Sequence, residues 1–344
     1  MPASLPDLVR EYPRVLVYGA GGGGDAVGAA YMYSKIKRLG GEPLLAALVW
    51  ERHPLDPYPG PIPLEALIEA EPLGWSLARV TGGTRAIRPH GEVWPQIARV
   101  AHSLGVEAYA VDASKGGEGV LEALRTAVRE LGAQAVVGVD IGGDILALGC
   151  EEDLWSPLAD AMSLYALANT GVPTLLAVHA PGADGELPPE EVLRYISILA
   201  GRGGLVGATG LERADLPVLE GALEHAVSEA SRIPYEAFQG RWGEVAIRGG
   251  TRRVMVTPLQ VVTFLLDPRV AYEWSPLARA VAGTRGVARA RERLNELCVY
   301  TELDLELDLS RARETGSQAD PVELRRLGRE RLRRLGCRPV ECPS

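Results

Sequence analysis

The chain has 344 residues, 47% of them apolar and 24% charged, an ordinary globular composition with room for one large α/β domain or two smaller ones. Its formal net charge of −9 argues against general nucleic-acid binding. No apolar run approaches the roughly 18 residues of a membrane span, and the opening Met1-Pro2-Ala3-Ser4 lacks the basic-then-apolar order of a signal peptide, so a cytoplasmic protein with no membrane association is expected.

The first stretch with structural content is Val15 to Asp25. A short apolar run ends in Gly19-Ala20-Gly21-Gly22-Gly23-Gly24, five glycines in six residues, followed by Asp25 and a helical pattern from Ala26 to Leu39. This reads as a buried strand, a loop almost without side chains, and a helix. Such a loop lets a ligand approach the backbone, and the helix N-terminus offers free N–H groups and positive partial charge, so phosphate is the expected guest. Pro43 to Trp50 is a second buried strand. The loop Glu51 to Pro61, stiffened by Pro54, Pro57, Pro59 and Pro61, follows. Pro63 to Ala70 reads as a short helix, and Trp75–Val80 with Thr84–Arg88 as a hairpin about Gly82-Gly83.

Helix and strand then alternate. Helices are expected at Trp94–Leu104, Gly119–Leu131, Leu154–Asn169, Pro189–Ala200 and Leu216–Ser231, with strands at Ala108–Val111, Ala135–Val139, Thr174–Val178 and Gly204–Ala208. This predicts a doubly wound, Rossmann-like, mostly parallel α/β sheet of about six strands with two hairpin insertions. Residues 1–235 form the expected ligand-binding core. Residues 236–344 form a C-terminal extension packed on it: a hairpin, Glu244–Ile247 with Arg253–Val256, then helices at Pro258–Leu266, Pro276–Val281 and Val287–Cys298. Leu303 to Leu309 alternates leucine with acids, as a half-buried edge strand would. Asp320-Pro321-Val322-Glu323 opens a closing arginine-rich helix that runs to Leu335. The four cysteines are too scattered for a disulfide framework and read as structural or incidental, with Cys337 and Cys342 close enough to pair.

In an open parallel sheet, ligands bind beyond the carboxyl ends of the strands. Those ends carry the glycine loop with Asp25, Glu51-Arg52-His53, Asp112-Ala113-Ser114-Lys115, Asp140-Ile141-Gly142-Gly143-Asp144, and His179 through Asp184-Gly185. The opposite ends carry helix-stopping glycines and few functional groups. Phosphate would be held by Gly21, Gly22, Gly23, Gly24, Gly142 and Gly143, with Arg52, Ser114 and Lys115 answering its charge. Asp25, Asp140 and Asp144 crowd negative charge on the same rim, and Mg²⁺ shared with phosphate oxygens reconciles the two. Asp25, Asp144 and His179, with His53 beside them, are the acid–base candidates. Gly19-x-Gly21-x-x-Gly24 formally matches a dinucleotide fingerprint, but Glu51 lies too far downstream and Asp25 sits where pyrophosphate belongs, so an NAD(P)-dependent oxidoreductase is disfavoured.

Gly-Ala-Gly-Gly-Gly-Gly-Asp, Trp50-Glu51-Arg52 with Asp56-Pro57 and Pro59-Gly60-Pro61, and Asp140-Ile141-Gly142-Gly143-Asp144 together resemble one family. It is a mainly archaeal group of uncharacterised proteins, domain of unknown function 1152, and the likeness spans most of residues 14 to 300. The resemblance implies a cytoplasmic archaeal α/β protein and supports the choice of loops; it names no reaction. The expectation is therefore an enzyme for a small phosphorylated metabolite or nucleotide, working by Mg²⁺-assisted phosphoryl or nucleotidyl transfer or hydrolysis. The alternatives are a lyase, cyclase or isomerase on a carboxylate substrate, and a non-enzymatic nucleotide or metabolite sensor. A homo-oligomer is compatible with the sequence.

Overall fold

The computed structural model describes residues 3–53, 55–316 and 319–343. Pro54 of the expected stiff loop, and Met1 and Pro2 of the opening stretch, lie outside them. Nine strands among the described residues form one sheet: β1 (Arg14–Gly19), β2 (Glu42–Leu48), β3 (Glu71–Pro72), β4 (Leu77–Val80), β5 (Ala108–Val111), β6 (Ala135–Ile141), β7 (Thr174–His179), β8 (Leu205–Gly210) and β9 (Val262–Leu266). Their order is β8-β9-β7-β6-β1-β2-β5-β4-β3. The five central strands β7-β6-β1-β2-β5 are parallel, and antiparallel strands extend both edges.

The central strands are apolar runs because both faces are covered: every residue of β6 and β7 is buried. Val15, Val17, Val137 and Val139 join one core, under helices that include α1 (Asp25–Arg38). Leu16, Tyr18, Val136 and Val178 join the other, under helices that include α2 (Pro157–Ala168). Successive side chains of a strand therefore belong to different layers. From β1 the chain moves through β2 to β5 on one side, and then crosses back to β6 and β7 on the other. The reversal lies between β1 and β6, the place where an open α/β sheet leaves a crevice at its strand ends.

The structure corrects several sequence expectations. Pro258–Leu266 is not a helix. A single turn, Pro258–Val261, closed by a Thr257–Gln260 capping box, leads into β9, where the β-branched and aromatic run Val262-Thr263-Phe264 favours a strand. The sixth expected strand, β8, thus pairs with β9 rather than with β7, and the segment after residue 235 is woven into the sheet. Leu303–Leu309 is not a strand but part of helix α3 (Glu302–Glu314), started by a Thr301–Asp304 capping box. Its alternation misleads because Glu302 and Glu306, four residues apart, share a helix face and meet Arg52 instead of water.

Leu77–Val80 and Arg85–Arg88 both exist as strands but do not pair. The first joins β5, and the second a small sheet with Leu67–Ile68 and Gly91–Val93. Pro63–Ala70 is one turn, Leu64–Ala66, followed by Leu67–Ile68. Leu216–Ser231 splits into Leu216–His225 and Glu229–Phe238, because Ser228 starts a new helix by accepting from the Ser231 N–H. The second hairpin forms as expected, Gly243–Ile247 with Arg252–Val256. The cysteines pair Cys150–Cys342 and Cys298–Cys337, not Cys337–Cys342.

Leu266 is fully buried on β9, opposite Leu176 of β7. Leu266→Ala should cost about 2–5 kcal/mol in chemical unfolding, as a core truncation does. A loss below about 1 kcal/mol would show that residues 258–266 lie on the surface.

Candidate functional site

The strand ends beside the β1/β6 reversal converge on carboxylates. Asp25 opens α1 at the end of the glycine loop, Asp140 is the penultimate residue of β6, and Asp160 stands one turn into α2. One oxygen from each lies within 4.8 Å of the others. A second group, Asp144, Asp184 and Glu186, meets the same measure. Both oxygens of Asp140 are buried without a hydrogen-bond partner among the described residues, as is one oxygen each of Asp160 and Asp184. Neighbouring oxygens around a Mg²⁺ ion stand about 3.0 Å apart, given ligand distances near 2.1 Å, so a triad as open as 4.8 Å would draw inward to hold one.

Local structure explains the convergence. Successive β6 side chains alternate between the two layers, so Asp140 falls on the side of Val136 and Val178, where α2 lies, and Ile141 faces α1. Gly142 (φ +111°) and Gly143 (φ +98°) take the left-handed region, and a Cβ at Gly142 would strike the Asp184 carboxylate. The turn can therefore bring Asp144 back beside Asp184 only with glycine there. Glu302 accepts hydrogen bonds from the Leu158 and Ala159 N–H groups, at 3.0 and 2.9 Å, pinning the start of α2 and so placing Asp160.

The glycine loop is shaped by the same charges. The Gly21 N–H donates to Asp25 Oδ2 at 2.7 Å. A Cβ at Gly21 would hit the Asp25 and Asp160 carboxylates, one at Gly22 would lie 2.9 Å from Arg52 Nε, and one at Gly23 2.7 Å from Glu51 Oε2. Charged side chains lying flat on the backbone thus require these glycines. Gly22, Gly24, Asp25 and Arg52 are half-buried and form the rim, while the carboxylates beneath them are buried.

Burial pushes the carboxyls up, and each acid pushes its neighbours further. Asp25 rises to about 8, with the Asp184 charge adding to desolvation. Asp140, Asp144 and Asp160 are driven well above the usual range, first by burial and then by neighbouring acids: Asp25 and Asp184 act on Asp140, Asp160 and Asp184 on Asp144, and Asp140 and Asp25 on Asp160. Asp184 reaches about 6 through burial and Glu186. Burial also raises Glu186, but Arg252, Ser156 and two backbone N–H groups outweigh it and hold it low. Charge is answered by Arg52, which pairs with Glu302 at 3.2 Å, and by Arg252, which reaches Glu186 at 3.0 Å.

Of the residues singled out in the sequence, Asp25, Asp140, Asp144, Arg52 and the glycines at 21–24 and 142–143 meet here. Lys115 instead pairs with Glu65 at 2.8 Å, and Ser114 donates its N–H to Asp112. His179 is on the other face of the sheet, bonded to Thr263 at 2.8 Å and packed on Tyr31; burial lowers its pKa to about 3, so it stays neutral. His53 is exposed on its loop. Asp160, Asp184, Glu186, Arg252 and Glu302 were not selected from sequence. Asp160 left a signal, as the sole charge in the apolar run Pro157–Ala168. A cavity of about 390 Å³ lies at the opposite, amino end of the central strands, lined by Thr170, Thr174 and Asp267, and contains none of these acids.

Glu306 accepts from Trp50 and Gly60, yet burial lifts it to about 7. A carboxyl raised in the fold binds more protons folded than unfolded. Its stabilising contribution is therefore full below about pH 4 and fades as pH rises through 7. Glu306→Gln removes that titration, so its stability relative to wild type should improve between pH 5 and 8. A flat or falling difference in thermal unfolding would contradict a protonated Glu306.

A family model described as "Protein of unknown function (DUF1152)" matches residues 16–310. No curated protein and no solved structure matches the chain.

Proposed function

The chain belongs to the DUF1152 family, and from its geometry we propose a Mg²⁺-dependent enzyme that transfers or hydrolyses a phosphoryl or nucleotidyl group on a small phosphorylated metabolite or nucleotide. The observation that carries this reading is Asp140, fully buried with neither oxygen partnered among the described residues, facing Asp25 and Asp160. A buried carboxylate left without a partner costs several kcal/mol, and a divalent cation removes that cost while binding phosphate oxygens.

The strand order supports a doubly wound, Rossmann-like reading, since the reversal between β1 and β6 lies where such sheets bind ligands. One cation would sit at Asp25, Asp140 and Asp160, and a second at Asp144, Asp184 and Glu186. Two cations sharing a phosphate stabilise both the attacking and the leaving oxygen. The backbone at Gly22 and Gly24 lines the rim where the phosphate enters, beside Arg52. Asp25, on the same rim, would take the proton of an attacking water or hydroxyl on the carboxylate oxygen not given to the cation, as the nucleophile's oxygen bonds phosphorus. The phosphorus–oxygen bond to the leaving group would break in the same displacement, and a cation held by the triads would supply the positive charge that stabilises the departing oxygen.

Mg²⁺ at about 100 times its dissociation constant should stabilise the chelator-treated protein by about 2.7 kcal/mol. Asp140→Asn should abolish that gain while leaving the fold intact, because the amide fills the same space without a buried charge. With Mg²⁺ and a panel of nucleotides and sugar phosphates, wild type should release phosphate or pyrophosphate and Asp140→Asn should not. An Asp140→Asn protein that responds to Mg²⁺ like wild type would contradict the proposal, as would turnover of a carboxylate substrate without phosphate chemistry.

A further inference from the structure

The rim over the carboxylates is built partly from arginines that arrive on the hairpin Gly243–Val256. Resting on the reading above, we propose that Arg52, Arg248 and Arg252 clamp the terminal phosphate or diphosphate of the substrate, with the hairpin acting as the lid that delivers two of them.

Arg252 leaves the second hairpin strand and donates from Nη1 to Glu186 Oε1 at 3.0 Å and to the Asp184 carbonyl at 3.1 Å. Its approach is close: Gly185 has φ +69°, and a Cβ there would lie 3.0 Å from Arg252 Cβ. The Trp155 ring has the Arg252 guanidinium 5.1 Å from its centroid and that of Arg325 at 4.8 Å, so the lid docks on an aromatic surface. Arg52 rests against Gly22 of the glycine loop, with Glu302 at 3.2 Å and Glu306 at 3.7 Å on its other side. Side-chain exposure rises from 11% at Arg252 through 20% at Arg52 to 39% at Arg248, a graded path from the acids to solvent.

Arg248 sits in the hairpin turn at φ +53°, a backbone conformation that a non-glycine residue rarely adopts. Glu229 is its ion-pair partner, distant at 3.9 Å. Arg252 touches Glu186 and shares the Trp155 ring with Arg325, so like charges meet beside one carboxylate. A divalent cation at Asp144, Asp184 and Glu186 would share the neutralisation of Glu186 with Arg252. A phosphate group on that cation is the ligand whose oxygens the guanidiniums of the rim can take by paired N–H donation.

The test is calorimetric titration of the full chain with inorganic pyrophosphate in saturating Mg²⁺. Wild type should bind. Arg248→Ala should weaken pyrophosphate at least tenfold while Mg²⁺ affinity stays unchanged. Arg252→Gln should weaken it similarly, with Arg252→Lys restoring only part, because lysine cannot form the two-pronged contact. If Arg252→Gln fails to fold, Arg248→Ala, at an exposed turn, decides the matter alone. Mg²⁺ binding that depends on Asp140, combined with pyrophosphate that does not bind or binds Arg248→Ala as it binds wild type, overturns the clamp and leaves the metal reading standing. Absence of Asp140-dependent Mg²⁺ binding overturns the metal reading and the clamp with it.

Discussion

Burying carboxylates beside one another is among the most expensive things a fold can do. Moving one carboxylate out of water costs several kcal/mol even after relaxation, and each further acid adds repulsion in a medium that screens poorly. This protein gathers Asp25, Asp140, Asp160, Asp144, Asp184, Glu186 and Glu302 at one end of its sheet, against Arg52 and Arg252 as ion-pair partners. Two arginines cannot neutralise seven acids. The remainder must hold protons, as the upward shifts of Asp140, Asp144 and Asp160 indicate, or cations. Much of the surrounding structure is arranged around that imbalance.

The glycine loop is one consequence. Gly21, Gly22 and Gly23 are required because the Asp25, Asp160, Arg52 and Glu51 side chains lie on their backbone, and a Cβ there would collide with them. Glu302 is another: it caps α2, holds Asp160 in place and fixes Arg52 on the rim. The C-terminal segment therefore does more than cover the parallel sheet. It adds β9 to the sheet, α3 to the charge network and the hairpin to the rim, and the disulfide Cys150–Cys342 ties its end to the stretch after Asp144.

The sequence made the parallel core readable because period-2 burial on both faces leaves unbroken apolar runs such as Val136-Val137-Gly138-Val139 between helical stretches. It also made readable which strand ends carry charged and glycine-rich loops, and Asp25, Asp140, Asp144 and Arg52 lie close together there. What stayed hidden was set by packing at long range. β9 has a local pattern short enough to pass for a helix, and only its two antiparallel neighbours make it a strand. The acids of α3 look solvated because alternation usually means an exposed face; here Glu302 and Glu306 turn inward to Arg52. His179 looked poised beside the rim, but the pleat sends it to the opposite face, next to Tyr31. Lys115 found Glu65, a partner fifty residues away that local reading cannot pair with it.

The account stands or falls on whether the two triads hold divalent cations. Crystals grown with Mn²⁺ and measured at its absorption edge would locate the ions directly. The prediction is one anomalous peak among Asp25, Asp140 and Asp160, and a second among Asp144, Asp184 and Glu186. Diffraction that resolves these side chains in excess Mn²⁺ and shows no peak at either triad would contradict it, leaving a cluster neutralised by protons alone.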